Sequence, residues 1–343
     1  MRRTIRLMLV LGVTAGLLAV FLWHADLRRV GADLRGARLD LIVLSAGLIG
    51  VNMIVRSLRW QYLLAPLGPT RLWEAFHATV LGFAANAVLP ARAGEVIRPW
   101  VLARREQLPP AGAFATIVVE RLLDMVTVLV LFGVFVLFLG GNPAGRDDAL
   151  MHAVQIGGLI AALGAGGLLV GLVVLAGDTG RLWRLARWIE RWLPERAART
   201  AEHVAGTFAS GLAVVRQPRR LLLAFALSVV LWLSIGLGAW LVTTAFAIAM
   251  PFPGSFLLLM LLVVGVAVPT PGGVGGFDEA FRLGAVAFFG ASADRAVAAA
   301  IVLHAVSFVP VTLAGLALAA RDGMNLARMR QLAQQQAPGG QTA

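Results

Sequence analysis

The segment 266-VAVPTPGGVGGFDEAF-281 is rich in glycine and proline and ends close to two adjacent carboxylates, Asp278 and Glu279. It follows the strongly apolar run Phe256–Val268, and a second short apolar run comes after it. In the hydrocarbon of a membrane, irregular backbone persists only where protein or a water-filled cavity satisfies its N–H and C=O groups. Broken apolar segments of this kind are typical of transporter sites. The segment therefore predicts a polar site inside a membrane bundle.

The composition of the chain as a whole is that of a membrane protein. Of its 343 residues, 59% are hydrophobic and only 14% are charged, whereas a soluble domain carries about 25% charged residues. The apolar runs are continuous rather than alternating, which favours membrane helices over strands. The chain is therefore predicted to be an all-α polytopic membrane protein, with residues 1–330 as one integral membrane domain and residues 331–343 as a disordered tail.

The charged residues indicate contact with membrane lipids. The net charge is +12, the sequence contains no lysine, and the arginines lie in short flanks between apolar runs. Such flanks are typical of cytoplasmic loops that face anionic lipid, so anionic phospholipid is an expected partner and nucleic acid is not. Cysteine is absent, which excludes disulfides and thiol chemistry. No HExxH, histidine cluster or nucleophile elbow indicates a metal, a cofactor or a hydrolase.

The lengths of the apolar runs separate full membrane spans from shorter segments. A helix needs about 20 apolar residues to cross, and full spans are expected within Met1–Trp23, Leu39–Val55, Ala111–Leu139, Ala149–Ala176, Leu221–Met250 and Ala296–Ala320. Met1–Trp23 is interpreted as a retained span rather than a signal peptide, because no convincing small-x-small cleavage site follows it. Phe256–Val268 reaches only about 20 Å as a helix, which is too short to cross.

The arginine distribution predicts two segments that enter and leave the membrane on the same side. The flanks Arg56–Arg71 and Arg92–Arg105 both belong on the cytoplasmic face, so Leu72–Pro90 is expected to be a re-entrant hairpin. Phe256–Gly290 is expected to enter from the opposite face, which leaves both termini in the cytoplasm. The segment His24–Arg38 is then an external loop.

Two halves of the chain follow the same order of elements. Glu95 precedes Glu120 by 25 residues (120 − 95), and Glu279 precedes His304 by 25 (304 − 279). In each half, a broken hairpin and an acid come before a long span with an embedded ionisable group. The order predicts an inverted-topology repeat with a site where the hairpins meet. The proposed halves are residues 39–176 and 221–320, and an amphipathic cytoplasmic helix is expected between them at 181–217.

Four stretches of the chain resemble the flippase-like transmembrane family, the region fused to the synthase module in lysylphosphatidylglycerol synthases. They occur in the family order and cover nearly the whole chain: 56-RSLRW-60, 82-GFAANAVLPARAGEVIRPWVLARR-105, 119-VERLLD-124 and 268-VPTPGGVGGFDEAF-281. The resemblance implies a multi-helix inner-membrane protein, often counted as eight membrane segments, here about six full spans plus two re-entrant hairpins. It also implies translocation of a lipid or lipid-linked intermediate, with isoprenoid lipid and proteins of lipid biosynthesis as further partners. Stand-alone members of the family are tied to isoprenoid-lipid or hopanoid pathways and to lipid-linked sugar assembly. No synthase module follows in this sequence, so lysyl transfer is not expected.

Ionisable side chains at membrane depth are the candidate site residues, because each is costly without a partner. Glu120 and Asp124 share a helical face at i, i+4, and with Arg121 they suit a proton relay or a grip on a cationic headgroup. A buried structural ion-pair network with Arg92 or Arg98 is the alternative. The residues expected to bind substrate or line its route are Arg92, Glu95, Arg98, Glu120, Arg121, Asp124, Asp278, Glu279, Arg282 and His304.

Other positions have a structural alternative or a backbone role. Asp278 is expected to pair with Arg282 at i, i+4. His304 is a lone histidine in an apolar helix, for which packing is the alternative, and Arg56 and Arg59 are interpreted as interfacial anchors. Residues expected to act as hinges or to allow close backbone approach are Pro90, Gly94, Pro269, Pro271, Gly272, Gly273, Gly275 and Gly276.

The leading functional hypothesis is a translocase that moves a polar headgroup through a cavity between the two hairpins. The sequence contains no ATP-binding motif, so transport is expected to be downhill or coupled to an ion. An integral-membrane enzyme acting on a lipid-linked substrate, with Asp278 or Glu279 as base, is one alternative. A non-catalytic membrane scaffold is the other, and a transporter is favoured over an enzyme.

Overall fold

The computed structural model describes residues 12, 14–22, 25–89, 92–139, 148–177, 210–268 and 270–322. Within these ranges all regular structure is helical, which confirms the all-α polytopic fold. Pro90, Pro269, the tail 331–343 and most of the predicted amphipathic helix 181–217 lie outside the described residues. The described end of that segment, Leu212–Arg216, forms a short 3₁₀ turn.

Ten α-helices have defined bounds within the described residues. They are α1 Leu27–Gly36, α2 Leu39–Leu64, α3 Leu72–Val88, α4 Gly94–Arg105, α5 Pro110–Leu139, α6 Asp148–Gly177, α7 Pro218–Ala245, α8 Gly254–Ala267, α9 Gly276–Phe289 and α10 Ala293–Arg321. Residues 14–22 are also helical and reach the core through buried Phe21.

Three of the six predicted full spans correspond to long apolar helices, and about half of the predicted span Met1–Trp23 lies outside the described residues. Within the described residues, α2, α7 and α10 are long and apolar enough to cross a membrane. By contrast, α8 has 14 residues, which corresponds to about 21 Å. Helix α5 has 30 residues and carries the charged stretch that begins at Glu120.

The predicted external loop His24–Arg38 contains a helix, since residues Leu27–Gly36 form α1, and its side of the membrane stays a prediction. Asp26 caps this helix by accepting a hydrogen bond from the Arg28 N–H at 2.9 Å. Val30 is buried, whereas most residues of the helix are exposed or half-buried. The several arginines of this short segment hid its helical periodicity.

The helices α3 and α4 form one hairpin, and α8 and α9 form another. Each hairpin is closed by glycines that bring two backbones together: a Cβ added to Gly94 would overlap the Gly82 carbonyl, and one added to Gly276 would overlap Gly265. The first hairpin packs against α10, and α8 of the second packs against α5. Each hairpin therefore contacts a long helix of the other half.

The two hairpins open at opposite ends of the bundle. At one end, Arg105 Nη1 lies 2.7 Å from Glu74 Oε2, which joins the end of α4 to the start of α3. Arg105 also binds Asp322 at 2.6 Å, so α10 ends there. At the other end, the Arg38 N–H donates to the Ala245 carbonyl at 3.1 Å, which joins the start of α2 to the end of α7 just before α8 begins.

Candidate functional site

A buried ionic cluster lies where α2, α4 and α5 meet. Its acids are Glu120 and Asp124 on α5, which are 0% and 5% exposed. Four guanidinium groups surround them: Arg56 and Arg59 of α2, Arg98 of α4 and Arg121 of α5. We call the two acids together with these four arginines the arginine cluster. The structure therefore brings together four residues that the sequence predicts as site residues: Arg98, Glu120, Arg121 and Asp124. It adds Arg56 and Arg59, which the sequence places at the membrane interface.

Glu120 is the common acceptor of this cluster. Its Oε1 lies 2.8 Å from Arg98 Nη1 and 3.2 Å from Arg59 Nη2. Arg121 Nη2 lies 3.3 Å away and Arg56 Nη1 3.5 Å away from the same oxygen. A carboxylate without water around it needs such partners, because an isolated buried charge is very costly.

Asp124 ties the cluster to α7. Its Oδ1 accepts hydrogen bonds from Arg59 Nη1 at 2.5 Å and from Trp232 Nε1 at 2.9 Å. Arg59 Nη1 also donates to Ser228 Oγ at 2.7 Å. Because α2 and α7 are the most extensively packed helix pair, these bonds fix the cluster on the rigid centre of the bundle.

Aromatic faces hold two of the guanidinium groups. Arg98 Cζ lies 4.0 Å from the centroid of the Trp60 ring, and Arg56 Cζ lies 4.9 Å from that of Phe83. Cation–π contacts of this kind strengthen when the groups are desolvated. The interpretation of Arg56 and Arg59 as interfacial anchors is therefore wrong: α2 continues to Leu64, and both arginines are buried against the acids of α5.

The arginine cluster carries more positive than negative charge. Glu95 approaches Arg121 Nε at 3.5 Å, so three carboxylates face four guanidinium groups. Among the described residues, several buried donors have no hydrogen-bond partner, including Arg56 Nε, Arg59 Nε and both Nε and Nη2 of Arg98, and the acceptor Glu120 Oε2 has none either. An excess of desolvated guanidinium donors is the arrangement that binds a phosphate oxyanion.

A second ionisable pair lies on the other half of the bundle. Asp278 Oδ1 lies 2.9 Å from His304 Nδ1, which joins α9 to α10. The other oxygen, Oδ2, accepts a hydrogen bond from the Gly275 N–H at 2.8 Å. His304 is flanked by the rings of Phe277 and Phe308, with centroids 5.3 and 4.6 Å from its own.

The predicted pairing of Asp278 with Arg282 is wrong. Arg282 instead binds Glu279, with Nη2 to Oε1 at 2.5 Å and Nε to Oε2 at 2.7 Å. Asp278 is turned towards the start of its own helix, where it satisfies the N-terminal N–H of Gly275 and reaches His304. Capping at a helix start competes with i, i+4 pairing for an acid in the first turn.

The tips of the two hairpins touch each other. Arg92 Nη2 donates a hydrogen bond to the carbonyl of Val266 near the end of α8. The turn Pro271–Gly273 packs against α3, and Gly272 faces the Ala87 carbonyl. Among the described residues, no hydrogen bond or ion pair joins the arginine cluster directly to Asp278, Glu279 or His304.

The Gly/Pro turn has the backbone freedom that its composition predicts. Gly272 and Gly275 adopt positive φ values of 64° and 84°, which L side chains rarely tolerate. Close approach at Gly94 and Gly276 is seen in the two hairpins. Pro271 starts the turn, whereas Pro90 and Pro269 lie outside the described residues.

A small cavity lies between α2, α7, α8, α9 and α10. Its polar lining comes from Ser45, Asn52, Ser234 and Ser307, and Phe277 forms part of its wall. The residues that line it carry no formal charge. Within the described part of the chain, no three His, Asp or Glu side chains converge to hold a metal ion.

Comparison with known proteins agrees with this architecture. Residues 7–315 match the family described as the lysylphosphatidylglycerol synthase TM region. The chain belongs to this family. It is also 29% identical over 160 residues to Glycosyltransferase AglD of Haloferax volcanii, and 34% identical over 91 residues to UPF0104 membrane protein MJ1595 of Methanocaldococcus jannaschii.

The two curated relatives are matched only in part. The matched stretches are 46% and 26% of this chain, and about a quarter of each relative's length, 26% in both cases. What the family match and the structure together establish is a multi-pass membrane protein of a lipid-related family.

Sequence reasoning missed Arg56 and Arg59 as members of the site, together with Ser228 and Trp232 of α7. The signal for the two arginines was present, since they lie three residues apart on one face at the end of an apolar run. Two acids on α5 also required more positive charge than Arg121 alone supplies. No comparable signal marked Ser228 or Trp232, because a serine and a tryptophan in an apolar helix are ordinary packing residues.

Proposed function

We propose that the protein moves a lipid or lipid-linked intermediate across the cytoplasmic membrane without using ATP. The observation that supports this most strongly is the surplus of positive charge in the arginine cluster, where Arg56, Arg59 and Arg98 are buried in the helix bundle and the Arg121 side chain is 41% exposed. Ionisable residues at membrane depth are usually functional, because their cost is otherwise not offset. Four guanidinium groups face three carboxylates here, which leaves one positive charge for an anionic ligand.

The phosphate of a lipid headgroup is the ligand that fits the cluster. Phosphate oxygens accept paired hydrogen bonds from the planar guanidinium group. The unpartnered donors of Arg98 and Arg59 would be satisfied by such a group. Glu120 and Asp124 would keep the arginines in place when no headgroup is bound. The acyl or isoprenoid chain would remain in the surrounding lipid.

The route of the headgroup would run between the two hairpins. Because they open at opposite ends of the bundle and touch at their tips, we assign them as opposed re-entrant hairpins of an inverted repeat. The matching cross-contacts of α3–α4 with α10 and of α8 with α5 support that repeat. Placing the arginine-rich end of α4 in the cytoplasm puts both termini there as well.

Translocation in proteoliposomes tests the proposal. The purified chain would be reconstituted with fluorescent phospholipids and polyprenyl phosphates, and the fraction accessible to a membrane-impermeant quencher followed with time. Arg98→Gln and Arg59→Gln should lower the rate at least tenfold, while Arg38→Gln, whose side chain is 63% exposed, should not. Rates equal to those of protein-free liposomes for every lipid class would exclude the proposal.

An enzyme acting on a lipid-linked substrate is the second candidate. It is favoured by the Asp278–His304 pair, since a carboxylate that orients an imidazole is a common general-base arrangement. The name of the Haloferax volcanii relative, a glycosyltransferase, agrees with it. This candidate predicts a chemically changed lipid by mass spectrometry, where translocation predicts an unchanged lipid on the other leaflet. A non-catalytic scaffold predicts that charge-neutralising substitutions in the arginine cluster change neither the lipid distribution nor the lipid product.

A further inference from the structure

The two halves of the bundle carry equivalent ion pairs that differ in chemistry. In the first half, Arg98 of the returning hairpin helix binds Glu120 of the long helix at 2.8 Å. In the second half, Asp278 of the returning hairpin helix binds His304 of the long helix at 2.9 Å. Arginine stays protonated in proteins, whereas an imidazole exchanges its proton near neutral pH. Of these two pairs, only the second can change its charge during a transport cycle.

The Asp278–His304 pair contacts the second hairpin directly, so a change in the charge of the pair would alter how the hairpin packs. Asp278 holds the turn before α9 through the Gly275 N–H and holds α10 through His304. Its side chain is 7% exposed and that of His304 is 17% exposed, so a change of charge occurs in a largely desolvated place. A charged imidazole binds the carboxylate more strongly than a neutral one does, because both partners are then ionised.

Among the described residues, most other charged groups on the packed elements have partners of their own. Within the described residues, Asp278 is the charged side chain in contact with His304, and α8 contributes no ionisable residue. Among the remaining groups on the packed elements, Glu279 pairs with Arg282 on α9, Asp40 of α2 with Arg38, and Arg56 and Arg59 of α2 with Glu120 and Asp124. Glu74 and His77 of α3 pair with Arg105 and Asp322, Arg29 of α1 with Asp26 and Asp294, and Arg92 with the Val266 carbonyl. Arg219 and Arg220 lie in the first turn of α7, and on α1 Arg28 and Arg35 are exposed and Asp33 is half-buried. Arg295 and Arg321 lie at the two ends of α10.

We infer that His304, held by Asp278, is the proton-binding site that couples lipid translocation to a proton gradient, an inference that rests on the translocation proposed above. With Nδ1–H donating to Asp278 Oδ1, a proton from one side of the membrane binds at Nε2 and later leaves from Nε2 to the other side. No other bond forms or breaks. Binding tightens the second hairpin on α10, and release loosens it. The hairpin contact at Arg92 and Val266 then opens or closes in step with the proton.

The test is lipid distribution in proteoliposomes under an imposed pH difference. For one proton per lipid, a difference of one pH unit should shift the steady-state ratio between leaflets by up to about tenfold. His304→Gln and Asp278→Asn should remove this shift while leaving downhill translocation measurable. His77→Gln is the matched control, because His77 Nε2 also faces an aspartate, Asp322, at 3.3 Å, yet lies at the end of the bundle.

The outcomes separate this inference from the proposed function. Absence of translocation under all conditions would exclude the function itself. Translocation that ignores the pH difference, or that loses its response equally in His77→Gln, would overturn proton coupling alone. If His304→Gln does not fold, histidine-selective ¹⁵N NMR of the unsubstituted protein tests proton coupling instead. An imidazole at His304 that titrates between pH 5 and 8 and responds to added lipid supports coupling, and one that keeps a single state across that range excludes it.

Discussion

Arg98 Nη1 lies 2.8 Å from Glu120 Oε1, and the same guanidinium group stacks on the Trp60 ring at 4.0 Å. A single side chain of the first hairpin therefore joins α4 to both α5 and α2 at a place where water is excluded. Arg98 supports the fold and could also bind a ligand, because its Nε and Nη2 have no hydrogen-bond partner among the described residues. Substitutions can separate these two roles.

Removing the charge of Glu120 should destabilise the fold. Glu120→Gln leaves the guanidinium group of Arg98 buried without its carboxylate, whereas Arg59 keeps Asp124. Breaking a buried pair in this way costs about 3–5 kcal/mol. Thermal or denaturant unfolding in detergent would measure the loss. Asp40→Asn is the control, because the Arg38–Asp40 pair is exposed to solvent, with 63% of each side chain accessible, and should unfold like the parent. Equal stability of both variants would show that the cluster is not held by its charges.

Replacing Arg98 by lysine should impair binding more than folding. A lysine keeps the positive charge beside Glu120, but it offers neither the planar fork for a phosphate nor the flat face that stacks on Trp60. We expect Arg98→Lys to remain folded and to lower the translocation rate at least tenfold. The check is the proteoliposome assay together with an unfolding curve on the same preparation. A rate within twofold of the parent would mean that Arg98 serves Glu120 and not the substrate.

Much of this architecture follows from the sequence. Apolar run lengths define the long helices and show that α8 is too short to cross. The spacing of Glu120 and Asp124 on an apolar helix indicated a buried polar site. The glycines and Pro271 predicted the sharp turn before α9, which the positive φ angles of Gly272 and Gly275 display.

The partners of each charge could not be read from the sequence. Arg56 follows an apolar run and resembles a membrane-interface residue until α5 is packed beside it. Asp278 is equally able to pair with Arg282 or to cap its own helix, and His304 of α10 decides between them. These choices depend on contacts between residues far apart in the chain, 64 positions for Arg56 and Glu120 (120 − 56) and 26 for Asp278 and His304 (304 − 278). Tertiary packing, and not local propensity, therefore fixes the site.

Substituting alanine at Gly94 should loosen the first hairpin. A Cβ there would overlap the Gly82 carbonyl and lie 2.6 Å from Asn86 Oδ1, so α3 and α4 would have to separate. Overpacking of this kind costs about 1–3 kcal/mol. Gly50→Ala is the matched control: nothing lies within 4 Å of its added Cβ, and a helical alanine there should be neutral or stabilising. Unfolding curves for both variants would test this, and equal midpoints would contradict the close contact of the two backbones.

Thiol labelling can test whether the two hairpins open on opposite sides of the membrane. The chain contains no cysteine, so a single introduced cysteine gives the only thiol that can react. Pro69→Cys and Gln107→Cys place exposed thiols before α3 and after α4, while Ala249→Cys and Ser292→Cys place them before α8 and after α9. A membrane-impermeant maleimide added to right-side-out cells should label the second pair within minutes. The first pair should react only in inverted vesicles, since the positive charge near Arg104 and Arg105 favours the cytoplasmic face. Labelling of all four positions from one side would contradict both the opposed openings of the hairpins and the proposed route between them.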